Sequence, residues 1–144
     1  MADLFRVRSF AEPDREALEA IYRECRAEAT WLPPAAREGS DFARDTAGET
    51  LFVAVGSNDN PVGFVSIWLP DRFIHHLYVR SKLRDRGIGK ALLACLSAQL
   101  PMPWRLKCLT ANDAALAFYA SQGWTNVSSD VGEEGPYFVL EKSR

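Results

Sequence analysis

The stretch that most constrains the fold is Leu77 to Leu93, LYVRSKLRDRGIGKALL. Leu77, Tyr78 and Val79 form an apolar run that reads as the end of a strand. A basic turn follows, with Arg80, Lys82, Arg84 and Arg86, and then come Gly87 and Gly89. Directly behind them Ile88, Leu92, Cys95, Leu96 and Leu100 recur with helical period. A strand that passes through a glycine turn into a helix sets the helix N-terminus at the strand's end. The first turn of a helix has backbone N–H groups without partners, and the helix dipole adds partial positive charge there. Gly87 and Gly89 remove side chains that would hold an anion away. From Arg80 to Lys90 five cations face one carboxylate, Asp85, in a chain of net charge −2. The stretch suits a phosphate.

A length of 144 residues fits one domain, 1–144, and the 47% apolar composition allows a core. Seventeen cations against nineteen anions leave no basic bias toward nucleic acid. The cations of the turn lie in one loop without interleaved aromatics, so the turn is a poor nucleic-acid site. The apolar runs are far shorter than the roughly 20 residues of a membrane span. The first ten residues, MADLFRVRSF, lack the apolar core of a secretory signal, so a cytoplasmic setting is expected. Cys25, Cys95 and Cys108 are odd in number, widely spaced and without a CxxC pair. They read as reduced, mostly core thiols.

Taken in order, Leu4 to Phe10 alternates as a first strand. Pro13 opens a helix with Leu18, Ile21, Tyr22, Cys25 and Ala29 on one face, which ends before Pro33–Pro34. Pro34–Glu38 fits the start of a second helix and Asp41–Arg44 another short piece, broken by Gly39 and Gly48. The same stretch fits a mobile substrate wall or an irregular connection. Glu49–Val55 and Val62–Leu69 read as a hairpin, Arg72–Val79 as a fourth strand and Trp104–Leu109 as a fifth. The helix behind the turn runs to about Leu100, where Pro101 and Pro103 stop it. A further helix runs to about Gln122 and is capped by Gly123. Trp124–Val127 and Tyr137–Glu141 read as strands flanking a loop, Ser128–Pro136. The order β-α-α-β-β-β-α-β-α-β-β implies a mixed seven-stranded α/β sheet with helices on both faces.

The turn, Arg84-x-x-Gly87-x-Gly89, is neither a Walker A loop nor a Rossmann GxGxxG. A second signature follows: Asn112-x-x-Ala115-x-x-Phe118-Tyr119-x-x-x-Gly123-Trp124. Together they resemble the GNAT family of acetyl-CoA-dependent N-acetyltransferases, whose Q/R-x-x-G-x-G/A turn and N-x-x-A-x-x-F-Y-x-x-x-G-F/W helix they match. The resemblance spans nearly the whole chain and is loosest over residues 30–48. It implies a largely antiparallel sheet whose fourth and fifth strands splay apart. It implies acetyl-CoA as acetyl donor, with its pyrophosphate on the backbone of Arg84, Asp85, Arg86, Gly87, Ile88, Gly89 and Lys90. The pantetheine arm would run beside Leu77, Tyr78 and Val79, with the Leu77 N–H facing the acetyl carbonyl.

Asn112 matches a cofactor-contacting position and also suits a helix N-cap. Tyr119 matches the position that protonates the departing thiolate, and it would also fit as a core tyrosine. The amine acceptor must lose a proton. Strand alternation puts Phe73, His75 and Leu77 on one face, and Ile74, His76 and Tyr78 on the other. His75 falls where arylalkylamine-type members carry a histidine, and is favoured over His76 as base; a water relay is the alternative. Phe73 stands where many members carry a glutamate. Neighbours on a strand point apart and no third ligand lies close in sequence, so no metal site is expected at the histidines. Glu133 and Glu134 would border the acceptor. Trp31, Phe42 and Trp68 fit either the acceptor pocket or the core.

The resemblance implies acetyl transfer to a small amine, a protein N-terminus or a lysine, by direct attack in a ternary complex, from a monomer or homodimer. The alternative is a non-catalytic acyl-CoA sensor or interaction module, for which Tyr119 would have no use.

Overall fold

The alternating and helical patterns resolve into strands and helices over residues 5–144, the part of the chain that the computed structural model describes. The strands are β1 (Arg6–Ser9), β2 (Thr50–Val55), β3 (Pro61–Trp68), β4 (Phe73–Val79), β5 (Trp104–Leu109), β6 (Thr125–Gly132) and β7 (Gly135–Lys142). The helices are α1 (Arg15–Ala27), α2 (Pro34–Glu38), α3 (Phe42–Asp45), α4 (Ile88–Leu96) and α5 (Asp113–Ser121). Leu4, read as part of the first strand, lies outside the described residues.

The strands form one sheet in the order β1-β2-β3-β4-β5-β7-β6. β1 to β4 are an antiparallel meander, and β5, β7 and β6 are antiparallel to one another. β4 and β5 are parallel because α4 crosses over between them, and they pair only at Phe73↔Arg105 and Ile74↔Leu106. Beyond Ile74 the two strands separate. The sheet therefore splits in its middle, beside the end of β4 that leads into the glycine turn.

Strand alternation divides the core between two faces. Val53, Val55 and Phe64 pack under α1 and α3 with Leu18, Ile21, Tyr22, Cys25 and Phe42. Phe52, Ala54, Val65, Ile67 and Leu106 pack under α4 and α5 with Leu92, Leu96 and Tyr119. Leu18, Ile21, Leu92 and Leu96 are completely buried, which contributes roughly 2 kcal/mol each. Trp104 is 1% exposed and its indole N–H donates to the Leu100 carbonyl at 3.0 Å, which ties the start of β5 to the chain leaving α4.

Two expectations are corrected. α4 ends at Leu96, and turns carry the chain to Leu100, which stays buried. Residues 128–132, expected as loop, continue β6, so the turn between β6 and β7 is only Glu133–Glu134. β6 is an edge strand with every residue exposed. It has no buried face, and so no alternation for a sequence to display.

Candidate active site

The split in the sheet opens into a cleft of about 1340 Å³. The first turn of α4 walls one end. Following β4 back from Val79 leads to His75, roughly 13 Å away at a strand's rise per residue, and then to Phe73. Asn112, at the cap of α5, and Phe118 and Tyr119 within it also line the cleft.

At the turn, Asp85 and Gly87 take positive φ, 64° and 82°, and Gly87 caps α4. Only glycine adopts such a conformation freely. The amides of Gly87, Ile88, Gly89 and Lys90 have no backbone acceptor among the described residues, and all four residues line the cleft. They form a ready anion site at a helix N-terminus. The two glycines serve different ends. A Cβ on Gly89 would lie 3.4 Å from the Phe118 ring, so that glycine lets α4 and α5 pack closely. Arg84 and Asp85 also line the cleft, whereas Arg86 is exposed and lies off its wall. The Arg84 guanidinium turns toward α1, where it donates to Cys25 Sγ at 3.6 Å and lies 3.9 Å from Glu28.

The β4 backbone faces the cleft in a fixed phase. Arg80 N–H donates to the Val62 carbonyl of β3 at 2.9 Å. Counting back by two, Tyr78 and His76 direct their amides to β3, and Val79 and Leu77 direct theirs into the split. The Val79 carbonyl accepts from the Cys25 thiol at 3.4 Å. Tyr119 is 8% exposed and its hydroxyl makes no hydrogen bond among the described residues. Burial keeps that phenol protonated well past its ordinary range. Asn112 Oδ1 accepts from Ala115 N–H at 3.2 Å, which makes it the N-cap of α5 at the cleft wall. Burial also holds the thiols of Cys25 and Cys95 above their usual range and pushes Cys108 up to about 11. None is an activated nucleophile.

The far end departs from strand alternation. Ser66 pairs with His76 and Ile67 with Ile74, so His75 is the extra residue of a β-bulge. The bulge brings the rings of His75 and His76 onto one side, with centroids 4.2 Å apart at 31°. The expectation that they point apart is thus corrected, as is the absence of a third donor. The Glu49 carboxylate reaches both, with ligand-type atoms within 4.8 Å of one another. The trio still makes a poor metal centre. Rings this close can only lie face over face, so an ion in the plane of one imidazole sits off the plane of the other. The contact formed is a hydrogen bond between His75 Nδ1 and Glu49 Oε2.

His76 lies against Tyr22 and Tyr78, with Nε2 3.3 Å from the Asp45 carbonyl. Burial, then the nearby His75, lowers its pKa to about 3, so it is neutral at physiological pH. That geometry suits a structural role.

Of the three aromatics considered for the acceptor pocket, Trp31 lines the cleft and is 39% exposed, Phe42 is core, and Trp68 is exposed off the cleft against Gly48. Two residues escaped notice in the sequence. Glu49 is one; Arg26 is the other. Arg26 is 8% exposed and donates to Glu134 Oε2 at 2.5 Å and Ser40 Oγ at 2.7 Å. It ties α1 to the residues after α2 and to the β6–β7 turn. Its helical position between apolar neighbours carries no signal of this role.

No curated protein sequence matches the chain. The fold is shared with the apo form of YjaB from Escherichia coli (TM-score 0.80, 24% identity, covering 96% of this chain and 97% of that one). It is shared with the PaiA N-acetyltransferase of Thermoplasma acidophilum, solved with coenzyme A (TM-score 0.75, 18% identity, 96% and 98% covered). It is shared too with the ribosomal-protein-S18-alanine N-acetyltransferase of Escherichia coli (TM-score 0.72, 18% identity, 96% and 92% covered). The family model "Acetyltransferase (GNAT) family" matches residues 15–124, the span from the start of α1 through the glycine turn to Trp124, and the chain therefore belongs to the GNAT acetyltransferase family.

Proposed function

We propose that this protein moves the acetyl group of acetyl-CoA to a primary amine by direct attack within a ternary complex. The observation that carries the reading is the row of amides at Gly87 to Lys90 without a backbone acceptor among the described residues, set at the mouth of a cleft that leads along β4 to Tyr119 and His75. A diphosphate on those amides would lay the rest of the donor along the split. The coenzyme A bound to the PaiA N-acetyltransferase supports that donor.

The chemistry follows from the groups in the cleft. The Leu77 N–H would donate to the acetyl carbonyl and stabilise the oxyanion as the amine adds. His75 takes the proton that an ammonium must lose first. It is the exposed histidine, whereas His76 is held neutral by burial and is a poor proton acceptor. As the C–S bond breaks, Tyr119 gives its proton to the leaving thiolate. The protonated state of the three thiols favours direct attack over an acyl-enzyme. Small amines, protein N-termini and lysines all remain within this class; the two structural relatives named as N-acetyltransferases include one named for a ribosomal protein.

The test is release of free CoA thiol from acetyl-CoA across a library of amines and N-terminal peptides. At least one acceptor is expected to give release above the uncatalysed rate. Coenzyme A binding at micromolar affinity with no release for any acceptor would favour an acyl-CoA sensor instead.

A further inference from the structure

We propose that Glu49 is the positioning residue for the base, holding His75 in the tautomer that leaves Nε2 free to take the acceptor's proton. This deepens the function proposed above and rests on His75 as base.

Glu49 follows Gly48, whose φ of +78° turns the chain into β2, and its N–H is anchored on the Thr46 carbonyl at 3.0 Å. Its side chain is 5% exposed, against 46% for His75. Burying a carboxylate is costly unless its oxygens are satisfied. Here Oε2 meets His75 Nδ1, and Oε1 has no hydrogen-bond partner among the described residues. A carboxylate kept for structure alone would be expected in a fuller network. The neighbouring carboxylates are committed elsewhere. Asp45 accepts from Tyr22 at 2.6 Å and from Arg44 at 3.0 Å, and Glu134 is held by Arg26. His75 has a matching need. As the bulged residue of β4 it has no partner across the strand pair; its ring lies against Phe73 and His76, and Glu49 supplies its hydrogen bond.

The consequence is a defined proton path. An ionised carboxylate only accepts, so Nδ1 of neutral His75 carries the hydrogen and Nε2 the lone pair. An incoming ammonium passes one proton to Nε2, and the imidazolium formed is stabilised by Glu49. The amine then bonds to the acetyl carbon and the C–S bond breaks. Of the ammonium's three hydrogens, one leaves to solvent through His75. One replaces the proton that Tyr119 gave to sulfur, and one stays on the amide. Nothing else is consumed.

The tautomer can be read without an acceptor. In protein labelled with 15N at its histidines, at alkaline pH, His75 Nδ1 should resonate as a protonated and Nε2 as an unprotonated nitrogen. In Glu49→Gln, whose amide can either donate or accept, the two shifts should move toward each other. Glu49→Asp retains the charge and should preserve much of the difference; it also serves if the glutamine variant fails to fold. Shifts identical in wild type and Glu49→Gln would overturn the positioning contact. With an amine from the screen, Glu49→Gln should lower kcat about 10- to 100-fold with the KM for acetyl-CoA unchanged. The double variant with His75→Ala should be no slower than His75→Ala alone. Additive losses would overturn action through His75. Full activity in His75→Ala would instead remove His75 as base, a failure of the parent reading.

Discussion

At the scale of single residues, burial decides which groups keep or lose protons. Tyr119 lacks a hydrogen-bond partner for its hydroxyl among the described residues, so the phenyl ring carries its packing against Phe118 and Trp124. Tyr119→Phe should therefore leave the thermal midpoint unchanged and lower kcat roughly 10²-fold, with little change in KM for acetyl-CoA. A loss confined to KM would mean that the hydroxyl binds and does not donate. His76 gives a second test. Its folded pKa is depressed to about 3 from 6.5, so between those values the unfolded chain binds more protons than the folded one. Stability should fall as pH drops below 6.5, and His76→Gln, which retains a donor for the Asp45 carbonyl, should flatten that dependence in chemical denaturation. The residues proposed to bind the donor and protonate its sulfur were legible as candidates because they sit in dense local motifs: Gly87 in its turn, Asn112 and Tyr119 on one helix and its cap. Glu49 and Arg26 were not. Arg26 reaches the cleft, and Glu49 reaches His75, only through packing of distant segments, and the bulge that turns His75 toward Glu49 defeats the period of two.

Among the elements, the first strand and first helix are joined by charge. Arg8 of β1 meets Asp14, just before α1, at 2.7 and 2.8 Å, and Asp14 also accepts from Ala11 N–H at 2.9 Å. Asp14 is 5% exposed. The hydrogen bonds from Arg8 hold its carboxyl below the ordinary value of 3.8. Its contribution is therefore complete above that pH and is lost as pH falls through the depressed value. Asp14→Ala should cost about 2 kcal/mol near neutral pH, read by urea unfolding, and the cost should shrink toward pH 2. A cost independent of pH would place the effect in packing alone. Helices with one buried face, such as α1 and α4, declared themselves by period, and β2, buried on both faces, by a short apolar run between turn residues. β6 did not, since an edge strand exposed throughout has nothing to alternate.

For the whole molecule, the decisive feature is that the sheet is not continuous. α4 carries the chain across to a parallel β5, two register pairs hold the strands together at Phe73 and Ile74, and the rest of β4 is left facing open space. The general order of elements could be read from the chain, and the splay only through likeness to a family, because strand separation has no residue pattern of its own. No helix among the described residues is long and apolar enough to cross a membrane. On the proposed function, the gap and the amides at its mouth together aim an acyl donor. A crystal structure with coenzyme A tests it most directly. The diphosphate is expected on the amides of Gly87, Ile88, Gly89 and Lys90, the arm between β4 and β5, and the sulfur beside Tyr119. A diphosphate bound away from α4, with the gap between β4 and β5 empty, would contradict it.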